Sequence, residues 1–497
     1  MNLSKSKYCE GYQCKKMLWL EKHHPEAKEE VGNESVLENG TEVGILAKKL
    51  FGDYIDIDFN ENLSQMIEDT KKVIEENDSC NITEASFDYN HNFCSVDILR
   101  KVGDKYEIYE VKSSTDCKDI YLEDASYQYY VLKSLGYDVK RVCVVHLNSS
   151  YVRRGELELD KLFKVVDITK YAKSREEDVK RLIEDINSYM EQREEPTDSI
   201  GLQCNKPYEC PYFSYCTRQL EKPNVFDIRG MRYSSKIKCF ENGVISFKEL
   251  LNEKLNPKYL EQVDFEVNEK EDKIEKNKIK AFLKTLSYPL YFLDFETFQE
   301  AVPSYDGLSP YEQIPFQYSL HYYEDENSEL KHKEFLAQPD IDPRRALAES
   351  LVRDIPLDVC TLAYNMSFEK NVIKSLAVEF PDLRDHLLNI HDHIKDLMVP
   401  FYNREYYTRA MQGSYSIKYV LPALFPDDPS LNYHNLEEVH NGGEAMNAYA
   451  TMGSLSKEEQ ERLRENLLKY CGLDTYAMVK IYDKLRSVVE KNKVLSK

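Results

Sequence analysis

The run LYFLDFETF at residues 290–298 constrains this chain more than any other stretch. On a strand, successive side chains point to opposite faces. Leu290, Phe292, Asp294, Glu296 and Phe298 then share one face, and Tyr291, Leu293, Phe295 and Thr297 share the other. A run this apolar on both faces predicts a buried central strand. Two ionised carboxylates side by side in such a place repel each other and lose hydration. A divalent cation is the simplest compensation. The alternative is an exposed edge strand with solvated acids, and the flanking hydrophobic residues argue against it.

The chain has 497 residues, 42% of them hydrophobic and 31% charged, which predicts two to four globular domains. No apolar run approaches the ~20 residues that span a bilayer. The first residues, MNLSKSKYCEGYQCKKMLWLEK, contain no signal-peptide core, so a cytoplasmic protein is expected. Twelve cysteines without a secretory signal point to free thiols and a metal site, not to a disulfide framework. The formal net charge of −22 excludes a protein that binds nucleic acid through bulk basic charge. A local substrate track remains compatible with it, since metal-site acids themselves add negative charge.

Strand-like runs occur near 82–88, 93–102, 106–113 and 139–147, with helical runs at 34–51, 64–76, 120–135 and 175–193. The highly charged stretch 252–284 then interrupts the pattern. Beyond it, strands are expected at 290–298, 315–323, 332–336 and 359–364. Helices are expected at 343–353, 367–379, 383–394, 414–424 and 458–490. The fold class is therefore α/β, with two mixed-sheet domains at 1–222 and 286–497 and a charged helical connector at 223–285.

In YEIYEVKSS, Tyr106, Ile108, Glu110 and Lys112 share one strand face, and SVDIL places Asp97 on the preceding strand. A hairpin turning at Val102–Lys105 would bring Asp97, Glu110 and Lys112 together. The two acids could hold a metal, and Lys112 could orient water or stabilise phosphate charge. Gln128, in a helical run, could support them. A surface ion pair is the plainer reading of an isolated E-x-K. Downstream, Cys204, Cys210 and Cys216 are evenly spaced in QCNKPYECPYFSYC. Three thiolates do not close a tetrahedral site, so a fourth ligand is needed. Cys14, in QCKKMLWL, is the first candidate and Cys9 the second; unlinked buried thiols are the alternative.

An early Cys followed by K-x-LWL, a D…E-V-K core, a helix with Gln and a terminal three-Cys cluster resemble the RecB-like PD-(D/E)XK nucleases that carry an iron–sulfur cluster, such as the CRISPR-adaptation exonucleases. The resemblance covers about residues 1–220. It implies a restriction-endonuclease-like fold and a [4Fe–4S] cluster on Cys14, Cys204, Cys210 and Cys216, with zinc as the alternative. It also implies Mg²⁺ or Mn²⁺ on Asp97 and Glu110, with Lys112 and Gln128 as further catalytic residues. One position departs: the family carries His in a G-x-x-V-H pattern, and the matching stretch here is Gly40-Thr41-Glu42-Val43-Gly44. An empty space is expected near Gly44, and this half should be slow or inactive by itself.

In the C-terminal half, LLKYCGLDTYAMVKIYDKL carries Cys471, Met478, Ile481 and Leu485 at helical spacing, with Asp474 inside that stripe. A carboxylate on a core-facing stripe needs a partner. Tyr470 lies one turn earlier on the same face, where its hydroxyl can orient water. A capped or partly exposed Asp474 is the alternative. In TLAYNMSFEKNVI a strand leads through Asn365, which shapes the turn, into a helix whose first turn holds Glu369. Asp396, in HIKDLMVPF, is a further candidate acid.

The set D-x-E, N-x-x-F-acid and Y-x-x-x-D resembles the DEDD exonucleases of the RNase H-like superfamily, in the variant with Tyr in the last motif, across about residues 286–490. It implies 3′→5′ hydrolysis of DNA or RNA with two metal ions, Mg²⁺ or Mn²⁺. Asp294, Glu296 and Asp474 would be ligands and Tyr470 the water-orienting residue. Glu369 stands where the family has Asp and reaches one methylene further. The order of the two halves, with GSYSIKYVLP and YCGLDT in the second, resembles an uncharacterised bacterial family, domain of unknown function 2779, over nearly the whole chain.

The segment 401–422 interleaves Arg404, Arg409 and Lys418 with tyrosines and has a single acid, Glu405. It is the candidate track for a single strand or a strand end; a tyrosine-rich packing surface is the alternative. Together these features predict a metal-dependent nuclease. Its N-terminal half would be a second nuclease or a substrate-binding module. A catalytically eroded nucleic-acid-binding or scaffold protein is the competing reading, supported by Gly44 and Glu369. Retention of Asp294, Glu296, Tyr470 and Asp474 together argues against it. A zinc protein with no nucleic-acid role is the third.

Overall fold

Short-range pattern accounts for most of the elements. The computed structural model describes residues 2–30 and 34–490, with the side chains of 34–39 left out. The chain divides into two compact units, Met1–Leu220 with Glu300–Glu312, and Glu221–Gln299 with Gln313–Lys497. Both are mixed α/β.

The first unit is built on seven strands: β1 (Leu3–Ser4), β2 (Ile55–Asp56), β3 (Ser79–Tyr89), β4 (Asn92–Val102), β5 (Lys105–Lys112), β6 (Asp138–Leu147) and β7 (Phe163–Asp167). Their order is β2-β3-β4-β5-β6-β7, with β1 paired to β4. The β3–β4 turn uses Asn90 and His91, both at positive φ, the conformation a tight hairpin requires. The β4–β5 hairpin closes at Gly103 and Asp104, as expected, and pairs Ile98 with Tyr109. Helix Asp119–Ser134 then crosses over to β6, which runs parallel to β5. On one sheet face, Ile98, Tyr109, Cys143 and Val145 pack with Val43 and Ala47 of helix Glu34–Ala47. By alternation, Asp97, Glu110 and Lys112 belong to the opposite face.

The second unit holds β8 (Lys273–Ile274), β9 (Leu290–Phe298), β10 (Ile314–Tyr323), β11 (Lys331–Leu336), β12 (Cys360–Ala363), β13 (Ile394–Asp396) and β14 (Tyr406–Tyr407). The main sheet runs β11-β10-β9-β12-β13, with β8 and β14 paired separately. LYFLDFETF is thus the central strand, antiparallel to β10 and parallel to β12. Its two faces join two different cores. Leu290 and Phe292 pack with Met478, Ile481 and Leu485 of the long helix Lys457–Glu490. Tyr291, Leu293 and Phe295 pack with Leu347, Leu351, Ile373 and Leu376 of the helices Arg344–Asp354 and Ser367–Glu379.

Two expectations about organisation change. The segment 223–285 is helical at Tyr233–Glu241, Phe247–Leu250, Pro257–Val267 and Lys276–Leu283, but it is not a free-standing connector. Val225, Ile228, Met231, Phe247, Leu250 and Val263 form a core of their own, within the second unit. The charges that make this segment look like a linker lie on the outer faces of short amphipathic helices. Residues 300–312, expected within the C-terminal domain, belong to the first unit. Ala301 and Val302 are buried there beside Val43 and Tyr109, and the Tyr311 hydroxyl donates to the Ser113 carbonyl.

Candidate functional site

Four carboxylates meet in the second unit. Asp294 and Glu296 come from β9 and Glu369 from the first turn of helix Ser367–Glu379. Asp474 comes from the long helix that covers this face of the sheet. The turn that launches the Glu369 helix is set by Asn365 at φ 68° and by Asp396. The Asp396 carboxylate accepts backbone N–H groups from Asn365 (3.0 Å), Met366 (3.2 Å) and Met398 (2.9 Å). Asp396 is therefore a turn-shaping acid. A polar bracket holds the long helix against β10. Thr475 Oγ1 lies 2.6 Å from Ser319 Oγ and 2.8 Å from His321 Nδ1, and Gln317 Nε2 donates to the Leu467 carbonyl at 2.8 Å. Burial and the neighbouring His332 push His321 down to about 4, so it is neutral here.

Among the described residues, none of these four acids forms an ion pair. Glu369 is 2% exposed, and its Oε2 is buried without a hydrogen-bond partner. Ligand atoms of Asp294, Glu296 and Cys471 lie within 4.8 Å of one another. The Cys471 thiol is 4.0 Å from Asp294 Oδ2, and burial and the surrounding acids keep it protonated. It is a soft wall of the site, since hard divalent cations prefer oxygen. Burial first, then repulsion from Asp474, Glu296 and Glu369, raises Asp294 well above the ordinary carboxylate range. Glu296 is raised by burial and by Asp474 and Glu369. Burial lifts Glu369 to about 8, with Asp396 adding to it. Asp474 rises less, to about 6, because the Tyr433 and Tyr470 hydroxyls and Lys418 oppose the burial.

These shifts fix a pH dependence. The folded acids hold protons more tightly than the unfolded chain does. Their contribution is thus full below the ordinary carboxylate pKa and is lost as pH rises through about 6 to 8. In chelator, the stability of this unit should fall from about pH 5 to 8, by up to ~1.4 kcal/mol per pH unit for each group titrating, and its melting temperature should fall with it. Saturating Mg²⁺ should flatten the fall. A melting series with and without Mg²⁺ checks it, and a chelated protein whose stability rises over that range contradicts the assignment.

Tyr470 is buried at the edge of the cluster, and Tyr433 was not expected there. The Tyr433 hydroxyl donates to Asp474 Oδ1 at 2.5 Å, and its ring centroid lies 6.0 Å from that of Tyr470. Nothing in the spacing of LNYHN marks this residue. Groups that orient a ligand commonly contribute ~10–100-fold to metal affinity. Tyr433→Phe should accordingly weaken Mn²⁺ binding by about tenfold, measured by titration of the full chain.

Asp474 and Tyr470 also border a cavity of about 940 Å³. Leu421, Pro422 and Phe425 form apolar lining, and Lys418, His434, His440 and Asn441 supply polar groups. Glu444 fixes His440 through Nδ1 at 2.9 Å and through its backbone N–H at 2.7 Å. Of the three basic residues assigned to a strand track, only Lys418 lines this cavity. Arg404 is a correction. It is 5% exposed, donates to the Gly413 carbonyl at 2.7 Å and lies 4.0 Å from the Tyr407 ring centroid. It is a packing residue, because Tyr406 and Tyr407 turn into the core and carry the guanidinium with them. Arg409 lies 3.7 Å from Glu269 and lines a separate cavity with Arg229 and Gln412.

In the first unit, Asp97, Glu110, Lys112 and Gln128 do come together. Lys112 Nζ contacts Glu110 Oε1 at 2.6 Å, and Gln128 Nε2 donates to Glu110 Oε2 at 2.7 Å. Val111 N–H donates to Asp97 Oδ2 at 2.7 Å. Asp124 joins them, 2.6 Å from Lys112 Nζ. Its place four residues before Gln128 on one helix face was the available signal. Burial and Glu110 lift Asp97 to about 7. Burial also opposes ionisation of Glu110, but Lys112 and Lys5 outweigh it and hold that carboxyl low. A β-carbon added at Gly44 would meet nothing within 4 Å. The neighbouring Val43, however, packs on the sheet face opposite the acids.

Cys14, Cys204, Cys210 and Cys216 line one small cavity with Lys16, Met17 and Leu20. Cys14 sits in extended backbone between helices Lys5–Gln13 and Lys15–His23. The flanks are stitched to the later segment: Gln13 Nε2 donates to the Gln203 and Tyr208 carbonyls at 2.8 Å, and Trp19 Nε1 to the Gln192 carbonyl at 2.9 Å. Burial pushes Cys210 up to about 12 and Cys216 to about 11. Cys9 does not line this cavity; its thiol feels Asp124, Lys112 and Glu110 instead. All twelve cysteines are free. Among the described residues, no helix is long and apolar enough to cross a membrane.

The family described as "Domain of unknown function (DUF2779)" matches residues 291–416, a segment that contains Asp294, Glu296, Glu369 and Asp396 and stops before Asp474. An uncharacterized protein of Mycoplasma genitalium is 25% identical over 232 residues, covering 44% of this chain and 35% of its own length. This chain thus spans about a third of that curated relative. No solved structure matches. The family model thus marks a segment shared with a family of unknown function, which includes the strand and the helix that carry three of the four acids.

Proposed function

We propose that this protein is a metal-dependent nuclease whose second unit, an RNase H-like DEDD exonuclease, hydrolyses DNA or RNA from a 3′ end. The observation that carries the reading is the convergence of Asp294, Glu296, Glu369 and Asp474, with no ion pair to any of them among the described residues and with Glu369 Oε2 buried and unpartnered. Acids gathered this way are compatible with a stable fold when divalent cations neutralise them. Mg²⁺ or Mn²⁺ bound there would supply a nucleophile at neutral pH and stabilise charge on the leaving oxygen.

The protein's own residues do the rest. The central strand and the bracketed long helix fix the carboxylates, so little reorganisation is needed when substrate arrives. The Tyr470 hydroxyl, which hydrogen-bonds Asp474, would orient the attacking water. Tyr433 holds the Asp474 carboxylate in position. Lys418 offers positive charge to a phosphate, and the apolar wall of Leu421, Pro422 and Phe425 offers a surface for a base.

The first unit is read as a RecB-like PD-(D/E)XK domain, a second nuclease or a substrate-binding module. Asp97, Glu110, Lys112 and Gln128 meet as that assignment requires. The four cysteines that line one cavity, Cys14, Cys204, Cys210 and Cys216, are the donor set that a [4Fe–4S] cluster or a zinc ion would take.

The test is digestion of end-labelled single- and double-stranded DNA and RNA by anaerobically purified full chain, with Mg²⁺ or Mn²⁺ and with chelator. Metal-dependent shortening from the 3′ end is expected. Intact substrates under all metal conditions would return the protein to the class of non-catalytic binders.

A further inference from the structure

The first unit places a cation where its carboxylates would hold a metal. Lys5 Nζ lies 3.1 Å from Asp97 Oδ1, 3.2 Å from Glu110 Oε1 and 3.1 Å from Glu110 Oε2. With Lys112, Gln128 and the Val111 N–H, every oxygen of Asp97 and Glu110 then has a donor. Among the described residues, no lysine or arginine forms an ion pair with the acids of the second unit. Two sites of the same general chemistry are thus compensated in different ways.

Lys5 is not a loose terminal side chain. Leu3 and Ser4 pair with Asn92 and Phe93 of β4, and the Tyr127 hydroxyl donates to the Leu3 carbonyl at 2.8 Å. Ser4 caps the helix that Lys5 begins, accepting from Lys7 N–H at 3.3 Å. One turn on, Tyr8 stacks on Tyr127 with ring centroids 4.7 Å apart. The backbone therefore delivers the ammonium to one place.

We infer that Lys5 is the resident cation of the Asp97–Glu110 site, and that a divalent ion enters only by displacing it. This rests on the reading of those carboxylates as a metal site. Charge supports displacement over coexistence. Lys5 and Lys112 face Asp97, Glu110 and Asp124; a divalent ion added beside both lysines would leave excess positive charge, whereas one replacing Lys5 would balance the three acids. Geometry agrees, because Lys5 already uses the oxygens a metal would need. Gln128 Oε1, buried and unpartnered beside Glu110, remains as an acceptor for an incoming ion. Lys5 is a positioning residue: it keeps the site folded without metal and sets the metal concentration at which it opens. The lysine side chain, 23% exposed, has a route outward.

The experiment uses the full chain with Asp294→Asn and Asp474→Asn, so that Mn²⁺ bound by the second unit does not obscure the reading. Mn²⁺ binding is followed by electron paramagnetic resonance, alongside melting temperature with and without Mn²⁺. Lys5→Met should gain one Mn²⁺ with affinity about tenfold or more above the Lys5 protein. It should melt lower in chelator and recover with Mn²⁺. Lys5→Arg, which keeps the charge, should not gain the ion, and Glu110→Gln added to Lys5→Met should remove it. Should Lys5→Met not fold, Lys5→Gln is read in the same assay. Equal Mn²⁺ binding at this site by the Lys5 and Lys5→Met proteins overturns the inference and leaves the carboxylate site standing. Mn²⁺ binding by neither overturns the metal-site reading as well.

Discussion

Asp294→Asn is expected to abolish metal-dependent exonuclease activity, by about 10³-fold or more, while stabilising the metal-free protein. The two effects share one cause. Asp294 sits on the central strand with Glu296, faces Asp474 and Glu369, and has no cationic partner among the described residues. In the loaded site its carboxylate would hold a cation whose Lewis acidity contributes several kcal/mol, or roughly three decades of rate. In the metal-free site the same carboxylate repels its neighbours. The amide removes that repulsion, a gain on the order of 1 kcal/mol and a rise of roughly 2–4 °C in melting temperature. Digestion assays and melting curves on one preparation read both. Unchanged cleavage would falsify the assignment of chemistry to this site; cleavage lost together with a lower melting temperature would mark Asp294 as structural.

The second large effect belongs to the cysteines. Cys14→Ser is expected to remove the bound metal group and several kcal/mol of stability from the first unit, about 10 °C or more in melting temperature. Cys14 is ~190 residues from the other three cysteines, so a bond through a metal would close a long loop, the case in which a cross-link constrains the unfolded chain most. Lys16 reinforces the clamp by donating to the Pro196 carbonyl at 2.7 Å and pairing with Glu195 at 3.0 Å. Anaerobically purified wild-type protein should be brown from a [4Fe–4S] cluster, and Cys14→Ser pale. A colourless wild type containing stoichiometric zinc would replace the cluster by zinc and keep the clamp. A Cys9→Ser variant should retain the colour, since Cys9 lies at the acid–lysine network instead. A wild type with neither iron nor zinc would remove the metal from this site.

Local rules carried much of the fold. Strand alternation in LYFLDFETF separates the residues of two cores with no knowledge of what packs against either face, because the two-residue period is a property of the backbone. The Val102–Lys105 turn, the Glu369 helix starting at Ser367 and the Asp474 stripe are legible for the same reason: each is encoded within a few residues. The odd number of clustered cysteines pointed to a distant partner, and Cys14 is the one that lines their cavity. Tertiary structure decided what local period cannot. Lys5 lies in a polar run without a distinctive spacing, and only the pairing of Leu3 with β4 carries its ammonium to Asp97 and Glu110. Arg404 reads as a surface cation until Tyr406 and Tyr407 turn inward and bury it with them. Tyr433 reaches Asp474 across 41 residues of chain. Residues 300–312 leave the strand they follow for the core of the other unit. In each case the deciding energy is burial or pairing against residues far away in sequence. The sequence by itself determined which residues share a face; only the tertiary structure determined what that face meets.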